Sequence, residues 1–493
     1  MTPYATLETR FTRIGTLGEA EAMLQWDAAT QMPSGSAPAR AEQMATLKVM
    51  SHEILTQADT GDLLDAADAQ NDLDRWQRAN LREMRRDWLH ATAVPPDLIA
   101  ALTKACSACE MVWRKARPMN DFAAVKPHLQ KVLDLVREAG AAKAARLGKT
   151  PYEALLDAFE PGGSTVEIDR LFDDLAGMLP GLIEGAIARQ RAPLPLKGPF
   201  PVETQRAVGA ELMERLGFDF EHGRLDVSLH PFCGGTPDDV RITTRYDEEN
   251  FTRALMGVLH ETGHAMYERG LPRAWRHQPV GHARGMSVHE SQSLLVEMQA
   301  CRSREFLEFA APLLREAFHG RGPAWEADNL YRLYTRVERS FIRVDADEVT
   351  YPAHVILRYR LEKKMVADEL SLDDLPSAWN AGMRELIGIT PPTDREGCLQ
   401  DIHWYDGAWG YFPTYTLGAM TAAQLFSAAT RADAAILPGI AKGEFAPLFL
   451  WLRAHVHGKG SLLSTRELLT EATGSPLDAR IYEDHLRRRY LAG

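Results

Sequence analysis

The pattern H-E-x-x-H at residues 260–264 places His260, Glu261 and His264 close together along the chain. On an α-helix, residues four positions apart share one face, so both imidazoles can bind one metal ion. Glu261 then lies beside a water that the metal activates. There it can accept the proton as a general base and pass it to a leaving amine. The pattern arises by chance in roughly 4% of chains of this length, so its context must support this interpretation.

The flanking sequence predicts an amphipathic helix around this pattern. Acidic residues precede the helix, and Gly263 leaves room beside the metal ligands. Its other face carries apolar side chains: Leu255, Val258, Leu259 and Met266. A catalytic zinc ion needs a third protein ligand and an open position for water. No histidine follows with the H-x-x-G-x-x-H spacing, so the third ligand must come from another element.

Two adjacent residues compete for the role of third ligand. His289 and Glu290 open a predicted helix after a loop, and Glu290 follows His264 by 26 positions. A loop and one turn of a packed helix fit within that span. Neighbouring residues on a helix point about 100° apart, so at most one of the two can coordinate the metal. The residues alone favour Glu290 without excluding His289.

The rest of the chain is predicted to form a succession of helices, with one β-hairpin. The hairpin is predicted between the alternating segments 225–230 and 240–246. Helical periodicity continues on both sides of it. The longer helices are predicted over 168–191, 287–318, 325–343, 351–369, 374–386 and 417–430. We therefore expect a mostly α protein with a small β element beside the H-E-x-x-H helix.

The organisation of the chain predicts one helical domain over residues 1–493. A Pro-rich connector at 192–199 separates an N-terminal helical portion, about 1–195, from a catalytic portion, about 200–430, and C-terminal helices follow over 431–493. No fixed-period repeat is visible, which argues against a solenoid.

Charge and composition exclude several classes of protein. The net charge of −12 argues against a nucleic-acid partner, which usually leaves a basic footprint. No apolar run is long enough for a membrane span, and the first ten residues lack the pattern of a signal peptide. Only one C-x-x-C pair occurs among five cysteines, at Cys106 and Cys109, which is too little for a typical zinc site. The sequence thus predicts a reduced, cytoplasmic protein without a membrane partner.

Separated segments along nearly the whole chain resemble one known family. They are Trp26–Pro33, His230–Phe232, Asp239–Thr243, the H-E-x-x-H pattern with His289–Gln292, Ile342–Glu348, and Gln400–Trp404 continuing into Gly410–Gly418. Together they are similar to the carboxypeptidase Taq family of zinc metallocarboxypeptidases. The metal and general-base positions all match this family.

The resemblance implies a mostly helical fold with a deep groove, similar to angiotensin-converting enzyme and neurolysin. It also implies Zn²⁺, for which Co²⁺ sometimes substitutes, a homodimer, and removal of single residues from peptides with a free C-terminus. By this likeness Glu290 is the third metal ligand. The animal relatives place an Asp one turn after that Glu. Here Leu294 stands there, so a carboxylate supporting the metal ligands must come from elsewhere or be absent.

A carboxypeptidase must recognise a free carboxylate, and an arginine fork does this well. The candidates are Arg241, Arg245, Arg343 and Arg358, and the matched motifs favour Arg343 and then Arg241. Arg241 has an alternative as a structural ion pair with Asp239. Asp345, Asp347 and Glu348 are expected to hold the Arg343 fork or to support the zinc histidines.

Stabilisation of an oxyanion and binding of a peptide main chain need further groups. His403, Tyr411 and Tyr415 lie in a Gly- and aromatic-rich stretch typical of a groove-lining loop, and His230 ends the first predicted strand. Each of the four could instead be a packed core side chain. The predicted hairpin offers an edge that could pair with an extended substrate.

Two other functions compete with a carboxypeptidase. One is a helical scaffold or chaperone-like protein with a vestigial metal motif, which the intact Glu261 argues against. The other is an oligoendopeptidase of the same fold class, which would cut within a chain and need no free carboxylate.

Overall fold

The computed structural model describes residues 1–228 and 230–491. Within them the chain forms mainly α-helices, as predicted from the sequence. In chain order these helices are Pro3–Thr30, Ala37–Leu55, Thr60–Asp68, Arg75–Ala93, Pro96–Met119, Phe122–Leu147, Pro151–Leu156, Thr165–Arg189, Val202–Leu216, Phe251–Gly270, Met286–Leu294, Arg304–Ala317, Ala327–Tyr334, Tyr351–Val366, Leu375–Leu386, His403–Asp406, Pro413–Ala432, Ile436–Ile440, Ala446–His455, Thr465–Thr473 and Ala479–Tyr490. None of the helices in this described part is long and apolar enough to cross a membrane.

A small three-stranded sheet precedes the helix that carries the H-E-x-x-H pattern. Its strands are β1 (Gly223–Val227), β2 (Cys233–Thr236) and β3 (Asp239–Thr244). The spatial order is β1-β3-β2, with β1 parallel and β2 antiparallel to β3. Because β3 is central, β2 forms one edge of the sheet. The buried side chains of β3 pack against the helix Phe251–Gly270, called the HExxH helix below.

The predicted hairpin partner of β3 was wrong. Segments 225–230 and 240–246 were expected to pair as a hairpin, but the residues of β1 and β3 are parallel. The true hairpin joins β2 to β3 through Pro237 and Asp238. Strand β2 contains Gly234 and Gly235, and Gly235 adopts φ 86°. Glycines carry no side chain that could give an alternating apolar signal, so the sequence pattern concealed this strand.

Two predicted helices after the HExxH helix are interrupted. The segment 287–318 contains the helix Met286–Leu294, a π-helical turn over Leu295–Ala300, and the helix Arg304–Ala317. The predicted helix 325–343 ends at Tyr334. Arg343 instead begins a short 3₁₀ turn, and its backbone N–H donates to the Gln400 side chain at 2.8 Å. A distant side chain thus replaces the helical acceptor.

The buried apolar side chains form two large clusters and smaller satellites. One large cluster draws on the helices Phe122–Leu147, Thr165–Arg189 and Tyr351–Val366. The other surrounds the HExxH helix and the helix Arg304–Ala317. The helix Pro413–Ala432 supplies side chains to both, which fixes the HExxH helix relative to the C-terminal half of the chain.

Candidate active site

Three side chains predicted from the sequence converge at the middle of the HExxH helix. His260, His264 and Glu290 each offer a ligand atom, and these atoms lie within 4.8 Å of one another. The Oε2 atom of Glu290 is 3.4 Å from Nε2 of His264 and 3.9 Å from Nε2 of His260. Two imidazole nitrogens and one carboxylate oxygen are a common protein ligand set for a catalytic zinc ion.

Two glycines allow the helix that carries Glu290 to approach its neighbours. A Cβ at Gly263 would lie 2.5 Å from the carbonyl oxygen of Gln292. On the opposite side, a Cβ at Gly418 would lie 3.0 Å from Cβ of Glu290. The helix Met286–Leu294 is therefore held between the HExxH helix and the helix Pro413–Ala432. Close backbone packing, in addition to space for ligands, explains the glycine within the motif.

His289, the competing third ligand, is turned away from this cluster. Its Nε2 atom lies 2.7 Å from Oε1 of Glu268, one helical turn beyond His264. Its ring packs beside that of His264, with the ring centroids 4.6 Å apart. The adjacent Glu290 faces the two histidines instead, as the 100° separation on a helix requires.

The electrostatics of the cluster suit a divalent cation. Burial lowers the pKa of His260, but the charge of Glu290 and the hydrogen bond to Glu297 outweigh burial and raise it to about 10. Burial and the nearby His289 lower the pKa of His264 to about 4. Burial raises the pKa of Glu290, but the charge of His260 outweighs it and lowers the value to about 2. The carboxylates thus draw a proton onto His260, and a metal ion can replace that proton.

Glu297 supplies the carboxylate that Leu294 does not. Its Oε2 atom lies 2.9 Å from Nδ1 of His260, and its Oε1 atom accepts a hydrogen bond from Arg302 at 2.5 Å. A carboxylate on Nδ1 orients the imidazole and leaves Nε2 free for a metal. Sequence reasoning missed this residue. The sequence feature that could have identified Glu297 is its spacing of seven residues from Glu290, which places both carboxylates on one helical face.

Glu261 lies on the same helix between the two histidines and is buried. Burial raises the pKa of its carboxyl group to about 7. The charge of His260 opposes this shift in pKa, and the charge of Glu290 adds to it. A carboxylate whose pKa lies near neutrality can accept a proton and release it again, as a general base must.

A buried cluster of two arginines and one aspartate lies against Tyr415, about one helical turn before Gly418, the glycine that packs on Glu290. Nε and Nη2 of Arg343 both donate to Oδ1 of Asp401, at 3.0 and 2.8 Å, and Nε of Arg358 donates to Oδ2 at 2.5 Å. Arg343 also donates to the Tyr351 hydroxyl at 2.9 Å. Burial lowers the pKa of the neighbouring His403 to about 4, so that ring is neutral at pH 7. Two cations share one anion, which leaves one positive charge in excess.

The prediction that nearby acids hold the Arg343 fork was wrong, because Asp401 does so. Asp345 pairs with Arg253 at 3.1 Å, and Asp347 accepts hydrogen bonds from the backbone around Thr350. Glu348 points to the C-terminal helix Ala479–Tyr490, where Arg489 lies 2.9 Å away. The 3₁₀ turn covers only Arg343–Asp345, and Asp347 and Glu348 follow it, so each of the three acids reaches a partner other than Arg343.

Tyr415, in the first turn of the helix Pro413–Ala432, covers this cluster, and Tyr411, in the loop before that helix, packs against Tyr415. Nε2 of His403 lies 3.1 Å from the Tyr415 hydroxyl, and the Arg343 guanidinium lies 4.9 Å from the Tyr415 ring centroid. The Tyr411 and Tyr415 rings meet edge to face with centroids 5.1 Å apart. Burial and then the Glu290 charge raise the pKa of Tyr411 to about 12. Its hydroxyl is therefore a hydrogen-bond donor at neutral pH.

The other two candidate substrate-binding residues lie on or beside the sheet. Arg241, in β3, donates two hydrogen bonds to Asp239, at 2.9 and 2.6 Å, and its guanidinium lies 4.4 Å from the Trp26 ring centroid. These contacts are the ones expected of a structural ion pair, which was the alternative role of Arg241. His230 is exposed, and its backbone carbonyl accepts a hydrogen bond from Ser228.

Two cavities open along the HExxH helix. A cavity of about 820 Å³ lies along the N-terminal half of this helix, and Gly257, His260 and Glu297 are among the residues that line it. Another, of about 420 Å³, lies towards its C-terminal end between Glu268 and β2. The metal-ligand cluster lies between them along the helix. The first cavity therefore reaches the candidate metal ligand His260, and the second leaves further room near the C-terminal end of the same helix.

Comparisons with known proteins agree with this arrangement. Residues 6–490 match the family model described as carboxypeptidase Taq (M32) metallopeptidase. The chain is 38% identical over 490 residues to thermostable carboxypeptidase 1 of Thermus thermophilus, covering 97% of this chain and 96% of that protein. The solved structure of Trypanosoma cruzi metallocarboxypeptidase 1 superposes with a TM-score of 0.97 at 42% identity, covering 99% of both chains. The M32 carboxypeptidase of Deinococcus radiodurans gives a TM-score of 0.94 at 36% identity, covering 99% of this chain and 98% of that one. This chain therefore belongs to the carboxypeptidase Taq (M32) family of metallopeptidases, which implies a divalent metal and a peptide substrate.

Proposed function

We propose that the protein is a zinc-dependent carboxypeptidase that removes single amino acids from the free C-terminus of peptides. His260, His264 and Glu290 hold the metal, and Glu261 is the general base. The observation that carries the proposal is that the ligand atoms of these three residues lie within 4.8 Å of one another, with two of the residues on the helix that also bears Glu261. Zn²⁺ is preferred because two imidazoles and one carboxylate suit it, and Co²⁺ is expected to substitute.

The chemistry divides between the metal and the chain. Zinc, when bound, activates a water and polarises the scissile carbonyl. Glu261 accepts the proton of that water and returns it to the leaving amine. Glu297 keeps the His260 ring oriented through Nδ1. The Tyr411 and Tyr415 hydroxyls and His403 are the donors proposed for the developing oxyanion. Tyr415 lies about one turn before Gly418, which packs on Glu290, and it contacts both of the other residues.

The cluster of Arg343, Arg358 and Asp401 supports an exopeptidase in particular. Its unbalanced positive charge is buried, and burial of an uncompensated charge is costly. A substrate carboxylate that binds beside Arg343 and Tyr415 supplies the missing negative charge. The free end of a peptide then lies at a defined distance from the metal, so hydrolysis releases one residue.

The main chain of the substrate is proposed to pair with β2. This strand is an edge of the sheet, and Gly235 and Thr236 line the cavity of about 420 Å³. Pairing through backbone groups accepts many side-chain sequences. The proposal also includes a cytoplasmic homodimer as the working form.

A ladder experiment tests the proposed function. A peptide with a free C-terminus is incubated with the protein after dialysis against a chelator, with and without added Zn²⁺, and the products are weighed by mass spectrometry. We expect successive loss of single C-terminal residues only when the metal is restored. Products cut within the chain, or equal cleavage of a C-terminally amidated peptide, would instead favour an oligoendopeptidase.

The substitution Arg343→Met tests recognition of the carboxylate. Loss of a hydrogen bond to a charged group costs about 1.5–3 kcal/mol, so we expect kcat/KM on free-acid peptides to fall about ten- to over a hundredfold. The already slow rate on amidated peptides should barely change. The measurement is the ratio of the two rates in the wild type and the variant.

A matched variant, Arg241→Met, controls for the loss of an arginine. Because Arg241 pairs with Asp239 and packs on Trp26, we expect its ratio to stay at the wild-type value. An unchanged ratio in Arg343→Met, together with a reduced ratio in Arg241→Met, would transfer the role to Arg241.

A further inference from the structure

One turn of the helix that carries Glu290 is wound as a π-helix. The turn covers Leu295–Ala300, and at its end the Cys301 backbone N–H donates to the Val296 carbonyl at 2.8 Å. Single π-helical turns are rare and often occur at functional sites. Glu297, which contacts His260, lies within this turn. The direction of its carboxylate therefore depends on whether the turn stays wound in this way.

The backbone carbonyls at the end of this turn accept hydrogen bonds from a side chain of the C-terminal helix. The last carbonyls of a helix have no partner within it. Here Arg489, in the C-terminal helix Ala479–Tyr490, donates from Nη1 to the Met298 carbonyl at 2.5 Å. Its Nη2 atom donates to the Gln299 carbonyl at 3.3 Å, across 190 positions of sequence. A guanidinium suits this role because its fixed fork can reach two acceptors at once.

Glu348 holds Arg489 in place. Its Oε2 atom accepts from Nη1 of Arg489 at 2.9 Å and from the Tyr490 hydroxyl at 2.8 Å. Its Oε1 atom lies 2.8 Å from Nε2 of His485 and accepts from the Gln299 side chain at 3.1 Å. Glu348 is only 4% exposed, so the strength of these bonds is little reduced by solvent. The cluster therefore connects the C-terminal helix to the π-helical turn in two ways. Arg489 bonds to backbone carbonyls of the turn, and Glu348 bonds to the Gln299 side chain.

We propose that Arg489, fixed by Glu348, is a positioning residue of the metal centre: it caps the π-helical turn and so keeps the Glu297 carboxylate against His260. The inference rests on the proposed metal-ligand set. Through it, the helix Ala479–Tyr490 controls metal affinity, although it carries none of the three proposed ligands. Loss of the cap lets the turn rewind or fray, and His260 then loses the partner that orients its ring.

The test compares the affinity for Zn²⁺ of the wild type, Arg489→Met and Glu297→Gln. Affinity is measured by competition with a chromophoric chelator, well below the unfolding temperature. Substitution of the partner of a metal-binding histidine typically weakens metal binding about 10- to 100-fold, and we expect Arg489→Met to fall within that range. Arg488→Met is the matched control, because Arg488 is an exposed neighbour on the same helix. It should bind Zn²⁺ like the wild type.

A double variant distinguishes positioning from general loss of stability. If Arg489 acts through Glu297, then adding Arg489→Met to Glu297→Gln causes little further loss of affinity, whereas independent effects multiply. Hydrogen exchange of the backbone amides of residues 295–304 is measured in the metal-free protein as well. It should accelerate in Arg489→Met and stay unchanged in Arg488→Met.

Arg489→Lys provides a milder variant if Arg489→Met does not fold. It keeps the charge beside Glu348 but lacks the fork, so an intermediate loss of affinity is expected. Wild-type affinity and exchange rates in both Arg489 variants would overturn this inference alone, as would effects that multiply in the double variant. Absence of Zn²⁺ binding by the wild type would overturn the proposed function together with this inference.

Discussion

Glu261→Gln is expected to keep its metal and to lose peptide hydrolysis. Glutamine preserves the shape and hydrogen-bonding capacity of the side chain, but it cannot accept a proton from water. Loss of a general base commonly lowers the rate by a factor of about 10² to 10⁴. The measurement is kcat on a free-acid peptide, together with the metal content of the purified variant.

Metal content separates this outcome from a damaged site. Glu261 is not among the three proposed ligands, so the variant should bind one equivalent of Zn²⁺. Wild-type turnover in Glu261→Gln would show that another group activates the water. Loss of both metal and turnover would assign Glu261 to metal binding rather than to proton transfer.

Glu290→Ala is expected to lower metal occupancy and to abolish turnover. The Glu290 carboxylate is the group that both histidines approach, at 3.4 and 3.9 Å, and its charge is the anionic part of the ligand set. Alanine leaves two imidazoles without a third protein ligand, which is too few for a catalytic zinc site. Elemental analysis after dialysis, with activity on the same sample, measures both effects.

His289→Gln is the matched control for this prediction. His289 is the neighbouring residue and also lies beside His264, but its Nε2 atom faces Glu268. We expect this variant to keep its metal. Full metal and activity in Glu290→Ala, with loss of both in His289→Gln, would exchange the roles of these residues.

The sequence was sufficient for the features that depend on local spacing. Two histidines four positions apart must share a helical face, so the pair His260 and His264 and the intervening Glu261 could be located without coordinates. Helical periodicity likewise predicted the mostly α fold, and several motifs together predicted the family, which the comparisons confirmed.

Local spacing failed where a distant contact overrides it. The helix predicted to reach Arg343 stops at Tyr334, and the Arg343 backbone bonds to Gln400 instead. The hairpin was assigned to β1 and β3 because the glycines of β2 carry no pattern. In both cases a partner far along the chain determined the backbone, and periodicity carries no information about such partners.

For this protein, the sequence by itself determined the helix that carries two of the proposed metal ligands, the candidate general base and the family. Only the tertiary structure decided which groups surround them. Asp401 accepts hydrogen bonds from Arg343, and Glu297 supplies the carboxylate beside His260 that Leu294 cannot supply. Arg489 caps the turn that carries Glu297. The physical reason is the separation along the chain over which each kind of interaction acts. Helical geometry relates residues within a few positions, whereas hydrogen bonds and ion pairs form between any groups that packing brings within about 3 Å.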